Sequence, residues 1–350
     1  METTLNLEQI SRALVLAFIA DVPMAIVGRP GIGKSGIVYQ VAEAPKVPYK
    51  MYDFNLSDKS PGDVGGIPFP VNGKQLEFLI ASGLIPFDSD EKSILFLDEL
   101  DRAPIDVQNM AQRIIRERTV NGHTLSKNCR IVCAMNGTSD MYTNDLSEAM
   151  RNRMCFVYAE AESQGALDSW LNWAEGHDVS PMMMGFAKFN PNVWSTPPSN
   201  ARSSKPVEEL AVATPRSFTD YADRLLTAAD AVNFKTNDLL PAIVAGCVGK
   251  TAAAVLLEYR RIYLTCPTIE QVVQDPDNAP LVDDPGVRFA FTLALTNAAE
   301  GKRETAAAVA RYGLRWEHED AAYLYKRLVD KEPSVITTPA YTKWNARASQ

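Results

Sequence analysis

A glycine-rich segment near the start of the chain has the residue types that bind a phosphate group. Residues 28–35 follow the spacing GxxxxGKS. Glycines let backbone N–H groups curl around phosphate oxygens, the ammonium of Lys34 can reach the outer phosphates, and the hydroxyl of Ser35 can hold Mg²⁺. The alternative is an ordinary glycine-rich turn between a strand and a helix. The predicted nucleotide-binding residues are Gly28, Arg29, Pro30, Gly31, Ile32, Gly33, Lys34 and Ser35, together with Asp98.

Two acids, Asp98 and Glu99, end a second apolar run that begins at Ser93. An open parallel sheet places its ligand groups at the carboxyl ends of its strands. We therefore expect Asp98 to bind Mg²⁺ beside Ser35, directly or through water, and Glu99 to polarise the water that attacks the γ-phosphate. Paired acids are also common in loops. A strand-like run on each side of the pair, downstream of the glycine-rich segment, favours ATP binding.

Four further polar residues could complete such a site. Asn136 ends another apolar run, where it could hold the attacking water or the γ-phosphate, or cap the strand. Arg151 and Arg153 are surface charges unless one reaches the phosphate of a neighbouring subunit, a role that can contribute ~10³–10⁵ in rate. Arg216 opens a predicted helix, where a cation is electrostatically unfavourable, so a phosphate partner explains it better than stability does.

The elements that position these residues alternate between strands and helices. Short apolar runs predict buried parallel strands, and amphipathic stretches predict helices. The predicted strands lie at 23–28, 49–55, 93–99 and 130–136, and the predicted helices at 5–21, 34–44 and 106–117. This alternation over residues 23–158 predicts an open parallel α/β sheet. The dipeptides Asn72-Gly73 and Asn121-Gly122 predict two hairpins, with unrelated surface turns as the alternative.

The composition changes after Tyr158, where alanine-rich helical stretches replace the apolar runs. Residues 187–215 are rich in Pro, Ser and Asn and predict a long loop. Residues 331–350 have few apolar anchors, so we expect partial disorder or docking on a partner subunit. The predicted helical stretches are 163–176, 216–232, 238–263, 286–299, 302–312 and 318–330.

Bulk composition excludes several classes of protein. The net charge is −8, from 35 Lys and Arg against 43 Asp and Glu, which disfavours a protein that coats nucleic acid but not a local basic patch. No apolar run reaches the ~18 residues of a membrane helix. The acidic N-terminus is unlike a signal peptide, and five cysteines without a CxxC pair fit reduced thiols. We therefore expect a soluble, cytoplasmic protein without a zinc site or a membrane role.

Together, these motifs resemble the AAA+ ATPases, and within them the MoxR-type branch, over about residues 10–160 and again around 208–228. Residues 98–104 read DELDRAP and resemble the Walker B pattern DEINRAP, with Leu100-Asp101 in place of Ile-Asn. Residues 56–66 resemble the helix-2 insert of that branch, and 83–85 its GPI segment. Met154 and Gly137 stand where the family has Phe and often Pro, which marks a divergent member.

The resemblance assigns catalytic roles to five residues: Lys34, Glu99, Asn136 as sensor 1, Arg153 as the arginine finger and Arg216 as sensor 2. Ser35 and Asp98 would hold Mg²⁺. It implies an α/β fold with a P-loop NTPase core, a five-stranded parallel sheet flanked by helices, and then an α-helical lid domain. The implied domains are residues 1–159, with the insert at about 57–80, residues 160–330 with extra C-terminal helices, and a tail at 331–350.

The resemblance also implies a homo-oligomeric ring, usually of six subunits, that binds ATP and Mg²⁺ between subunits. Such proteins often act as chaperone-like remodellers of a protein partner that carries a von Willebrand factor A domain. The alternative function is a DNA-associated AAA+ motor or loader. Against it stand the charge of −8 and the lack of a tract that combines basic and aromatic residues. A scaffold without turnover is disfavoured, because no catalytic position is degenerate. An ordinary P-loop kinase is disfavoured, because Glu99, Asn136 and Arg216 would then be unexplained.

Overall fold

The computed structural model describes residues 4–44, 49–73, 75–81, 83–137, 144–160, 164–195, 211–232 and 239–347. The chain divides into two compact units, Met1–Trp170 and Leu171–Gln350. The division falls inside one helix, Gln164–Ala174. None of the described helices is both long and apolar enough to cross a membrane.

The first unit is built on a parallel sheet of six strands in the order β1-β10-β2-β9-β6-β3. The prediction of a parallel α/β sheet flanked by helices is confirmed. A two-residue edge strand, β1, extends the five expected strands by pairing with β10, and no apolar run marks it in the sequence. The strands of this sheet are β1 (Thr4–Leu5), β2 (Met24–Val27), β3 (Lys50–Asn55), β6 (Ser93–Asp98), β9 (Cys129–Met135) and β10 (Cys155–Ala159).

Helices cover both faces of this sheet, so its strands are buried on both sides. Successive residues of β6 point to opposite faces. Leu95 and Leu97 join the hydrophobic cluster on one face, and Ile94 and Phe96 join the cluster on the other. This burial explains why the strand is apolar throughout rather than alternating. The helices of the first unit are α1 (Leu7–Ala20), α2 (Lys34–Ala42), α3 (Pro61–Gly65), α4 (Ile105–Glu117) and α5 (Glu148–Arg151), and α6 (Gln164–Ala174) reaches into the second unit.

Both predicted hairpins are present. Strands β4 (Ile67–Val71) and β5 (Gln75–Leu79) pair antiparallel around Asn72-Gly73. Strands β7 (Thr119–Val120) and β8 (His123–Thr124) pair around Asn121-Gly122. The two turn residues have positive φ in each hairpin, 53° and 67° in the first and 45° and 94° in the second. Asn-Gly adopts this geometry more readily than other pairs, which explains why the dipeptide predicted the turns.

The second unit is helical in the part of it that the structure describes, as predicted. Residues 215–216 are helical and lead directly into a π-helical stretch, Ser217–Asp223. Gly249, with φ 86°, separates two helices where one stretch was predicted over 238–263. The helices are α7 (Pro181–Phe189), α8 (Pro191–Trp194), α9 (Arg224–Ala231), α10 (Leu240–Val248), α11 (Lys250–Tyr263), α12 (Ile269–Gln274), α13 (Pro285–Ala299), α14 (Arg303–Gly313), α15 (His318–Lys331) and α16 (Pro339–Arg347).

The predicted loop at 187–215 begins as helix, and this part of the prediction is wrong. Helix α7 continues to Phe189 and α8 follows, while residues 196–210 lie outside the described part of the chain. Proline at the first helical position is compatible with a helix, and Pro191 occupies that position. In the tail, α16 packs its Trp344 ring against Tyr325 of α15 at 4.5 Å between centroids.

Candidate nucleotide site

The glycine-rich segment forms a tight loop between the end of β2 and the start of α2. The Gly28 N–H donates to the Met135 carbonyl at 3.0 Å, which fixes the loop to the neighbouring strand β9. A Cβ on Gly28 would lie 2.7 Å from Ile32 Cδ1 and 2.9 Å from Ala159 Cβ. Gly33 has φ +99°, a backbone conformation that favours glycine. The glycines are therefore required by the path of the loop.

Lys34 is the first residue of α2, and its ammonium lies inside the loop. It is 7% exposed. Its Nζ donates to the carbonyls of Gly28 at 2.5 Å and Arg29 at 2.9 Å, and to Asn136 Oδ1 at 2.9 Å. A phosphate oxygen is a stronger acceptor for an ammonium than these neutral oxygens are. The loop thus holds a buried cation where a phosphate would bind.

Ser35 and Asp98 supply oxygen ligands at the same edge of the sheet. The Ser35 hydroxyl donates to Asp98 Oδ2 at 3.0 Å, and Asp98 is the last residue of β6. Hydroxyl and carboxylate oxygens are the ligands that Mg²⁺ prefers, together with water and phosphate oxygens. The donor set fits Mg²⁺ bound with a nucleotide, and the role of these two residues as metal ligands stays a prediction.

Glu99 follows Asp98 in a strained conformation. Its φ of 55° is uncommon for a residue other than glycine and raises the energy of the backbone. Its carboxylate lies 3.3 Å from an Arg102 guanidinium nitrogen, and both side chains are about one-third exposed. Arg102 therefore orients the expected general base. The motifs assign no role to Arg102, although its place three residues after Glu99 in a helical turn is a usable signal.

Asp101 is a second residue to which the motifs assign no role. It is 3% exposed, and its Oδ2 accepts the N–H groups of Asn136 and Gly137, each at 2.9 Å. Burial raises the pKa of the Asp101 carboxyl, while the two N–H groups and the charge of Lys34 oppose the rise. The sequence offered one signal for Asp101: it is an acid where the Walker B pattern DEINRAP has Asn.

Asn136 lies immediately beyond β9 and completes the cluster. It is 7% exposed, and its side-chain oxygen accepts the hydrogen bond from Lys34. The carboxyl ends of β2, β6 and β9 therefore bring Lys34, Ser35, Asp98 and Asn136 together. This juxtaposition is the arrangement that the motifs predicted.

Arg151 and Arg153 lie at the opposite edge of the sheet. Cys155 begins β10 and pairs with Met24, the first residue of β2, whereas the phosphate loop follows the last residue of β2. About 10 Å of strand separates these two ends, at ~3.3 Å per residue. Neither guanidinium makes a hydrogen bond or ion pair with the part of the chain that the structure describes. Arg153 is thus not part of the phosphate loop's own cluster.

Arg216 lies in the second unit, one residue before the π-helical stretch, and its side chain is exposed. The adjacent turn is closed by Ser217, whose N–H donates to Thr214 Oγ1 at 3.1 Å. These contacts account for the turn without Arg216. The predicted role of Arg216 at a phosphate stays a prediction.

Comparison with known proteins gives one match to a family model: residues 23–154 match the AAA domain of the dynein-related subfamily. Among curated proteins, none matches this chain in sequence. The structure of NtrX from Brucella abortus in complex with ADP is 13% identical, with 100% of this chain and 69% of that chain covered and a TM-score of 0.43. The Thermotoga maritima RuvB Holliday junction branch migration motor is 12% identical, with 77% and 76% covered and a TM-score of 0.40.

These two structural likenesses are too weak to carry an argument about function. The family match is different, because the matched residues include the phosphate loop, Asp98, Glu99 and Asn136. It supports nucleotide binding by this part of the chain. The match covers less than half of the chain, so the similarity to an AAA domain is stated for residues 23–154 alone.

Proposed function

We propose that this protein is a MoxR-type AAA+ ATPase that hydrolyses ATP with Mg²⁺ and uses the energy to remodel or activate a protein partner. The observation that carries the proposal is the cluster of Lys34, Ser35, Asp98 and Asn136 at one edge of the sheet, with Glu99 next to it. Each member has the chemistry that phosphoryl transfer to water requires.

The residues have separate roles in this mechanism. Lys34 and the loop N–H groups bind the β- and γ-phosphates, and Ser35 and Asp98 hold the metal. When bound, Mg²⁺ neutralises charge on the phosphate oxygens. Glu99 accepts a proton from the attacking water, and Asn136 orients that water or the γ-phosphate. Because Arg102 contacts the Glu99 carboxylate, this pair must loosen when water approaches Glu99.

Arg153 is proposed to act on a nucleotide bound by the neighbouring subunit. Its position at the edge opposite the phosphate loop favours action in trans over action within one chain. A guanidinium supplied in this way neutralises charge in the transition state. Arg216 is proposed to contact the γ-phosphate from the second unit. A ring of subunits, usually six, would bring these groups together.

The proposed partner is a protein, and one that carries a von Willebrand factor A domain is the first to test. Hairpin β4–β5 supports protein binding, because Ile67, Phe69 and Leu79 lie on one face of it and are each more than half exposed. Exposed apolar side chains grouped in this way are typical of protein interaction sites. The proposed setting is the cytoplasm. The net charge of −8 gives the DNA-motor alternative no added support.

ATP turnover by purified protein tests the proposal. Glu99→Gln removes the base but keeps the shape of the side chain, so we expect turnover to fall by about 10²–10⁴, the usual contribution of a general base. Binding of ADP should be retained. Glu117→Gln, an exposed change on α4, is the matched control and should leave turnover unchanged. Equal turnover in the Glu99→Gln variant and the wild type would remove Glu99 from the mechanism.

A further inference from the structure

We propose that Asp101 is a positioning residue that fixes Asn136 against the terminal phosphate, and so lets the site distinguish ATP from ADP. The inference rests on the proposed function, because it assumes that a nucleotide binds at the phosphate loop. It adds a residue to which neither the motifs nor the family match assigned a role.

The first step is the contact between Asp101 and the end of β9. A single oxygen, Asp101 Oδ2, accepts two consecutive backbone N–H groups, those of Asn136 and Gly137. Two such groups converge on one point because Gly137 turns the chain with φ +70°. Consecutive N–H groups that converge in this way form a concavity suited to an anion. The carboxylate of Asp101 fills it and fixes the backbone of Asn136.

Asn136 in turn contacts the phosphate loop through Lys34. The Asn136 side chain accepts a hydrogen bond from Lys34 Nζ at 2.9 Å. Asp101 therefore determines the backbone position of a residue whose amide lies beside the phosphate-binding ammonium. Asp101 does not donate to or accept from Lys34 itself, within the residues that the structure describes. It acts through Asn136, which makes it a positioning residue.

The third step is the anchoring of Asp101 itself. Its carbonyl accepts the N–H of Asn144 at 2.6 Å, and the Asn144 side chain donates to the Ala103 carbonyl at 3.0 Å. The turn that carries Asp101 is thus fixed on both sides, two residues after Glu99. Asp101 links the turn of the general base to Asn136. A shift in the turn that carries Glu99 therefore also shifts the backbone of Asn136.

The second carboxylate oxygen suggests how to test the role. Asp101 Oδ1 is buried and accepts no hydrogen bond from the described residues. In Asp101→Asn, the amide NH₂ can take this place without breaking an existing bond, while the amide oxygen still accepts from Asn136 and Gly137. Asp101→Ala removes the carboxylate that accepts from the buried Asn136 N–H and the partly buried Gly137 N–H, and losing such an acceptor is costly. Asp101→Asn therefore removes the charge and keeps the acceptor, whereas Asp101→Ala removes both.

The test compares the affinities of the full-length protein for ATPγS and ADP, both with Mg²⁺, by calorimetry. For Asp101→Ala we expect the preference for ATPγS over ADP to fall about tenfold, which is ~1.4 kcal/mol. For Asp101→Asn we expect it to stay within about threefold of the wild type. Asp90→Asn, an exposed carboxylate-to-amide change, is the matched control. If Asp101→Ala does not fold, Asp101→Ser replaces it. The serine side chain is too short to reach both N–H groups, so we expect the same loss of preference for ATPγS.

Three results would overturn the inference: an unchanged preference in the Asp101→Ala variant, a parallel loss of both affinities, or equal losses in folded Asp101→Asn and Asp101→Ala proteins. The proposed function fails separately. A wild-type protein that binds both nucleotides but does not turn over ATP would contradict hydrolysis, while the ratio of affinities would still decide the role of Asp101.

Discussion

Gly28 lies where the end of β2 passes close to two side chains. A Cβ at this position would overlap Ile32 Cδ1 and Ala159 Cβ. Gly28→Ala should therefore destabilise the protein by about 1–3 kcal/mol, the usual cost of overpacking, and weaken nucleotide binding. Gly36→Ala is the matched control: its Cβ would meet nothing within 4 Å, and alanine in a helix should stabilise by about 0.5–1 kcal/mol. Denaturant unfolding without nucleotide measures both changes, and equal effects would contradict the argument.

Ser35 contributes a single hydroxyl, which lies beside the Asp98 carboxylate. If this oxygen is a ligand of Mg²⁺, Ser35→Ala should raise the Mg²⁺ concentration for half-maximal ATP turnover by about tenfold, a change of ~1.4 kcal/mol. Ser11→Ala on α1, whose hydroxyl donates to the Glu8 carbonyl, should leave the metal dependence unchanged. A Ser35→Ala protein with wild-type metal dependence would exclude Ser35 as a ligand.

At the scale of the elements, His123 connects the hairpin β4–β5 to the rest of the first unit. His123 Nε2 lies 2.6 Å from the Phe78 carbonyl, and Nδ1 lies 2.9 Å from an Asp88 carboxylate oxygen. A carbonyl and a carboxylate can only accept, so both contacts are hydrogen bonds only when both ring nitrogens carry protons. These contacts raise the pKa of His123. The contribution to stability is therefore complete below the unfolded pKa of about 6.5 and is lost as the pH rises through the folded pKa.

We therefore expect His123→Gln to reduce the hydrogen-exchange protection of residues 67–79 relative to the wild type at pH 6, and to reduce it much less at pH 8.5. Exchange followed by mass spectrometry, with both proteins compared at the same pH, measures this difference. His177→Gln is the matched control, because His177 follows α6 and its Nδ1 lies close to the carbonyl of Trp173 on that helix, away from the hairpin. A difference in protection that does not change with pH would show that the charge of His123 does not fix the hairpin.

The elements also show what could be predicted from the sequence. The loop after β2, the acids after β6 and the Asn-Gly hairpins were predictable, because each depends on local backbone preference and on a strand that is apolar throughout. Helix α7 was not fully predictable, because Phe186 near its end is fixed by tertiary packing on Phe218, with ring centroids 5.3 Å apart. Asp101 was missed for the same reason: its partners at Asn136 and Gly137 are close only in the folded sheet.

At the scale of the whole molecule, the phosphate loop and Arg153 lie at opposite edges of one sheet. A chain with this arrangement cannot easily complete its own site with Arg153. Two copies of the chain can complete a site together, if Arg153 of one copy faces the phosphate loop of the other. We therefore expect Arg153→Ala to abolish most ATP turnover and to leave ADP binding intact, with Arg151→Ala as the comparison that identifies the finger.

Mixing of two inactive variants tests the shared site most directly. Lys34→Ala and Arg153→Ala proteins should each be inactive, but mixed assemblies contain sites with an intact phosphate loop from one subunit and an intact Arg153 from the other. We predict that ATP turnover reappears in this mixture. It should not reappear when Lys34→Ala is mixed with Glu99→Gln, because both changes affect the same half of the site. A Lys34→Ala and Arg153→Ala mixture that stays inactive would contradict a site that is shared through Arg153.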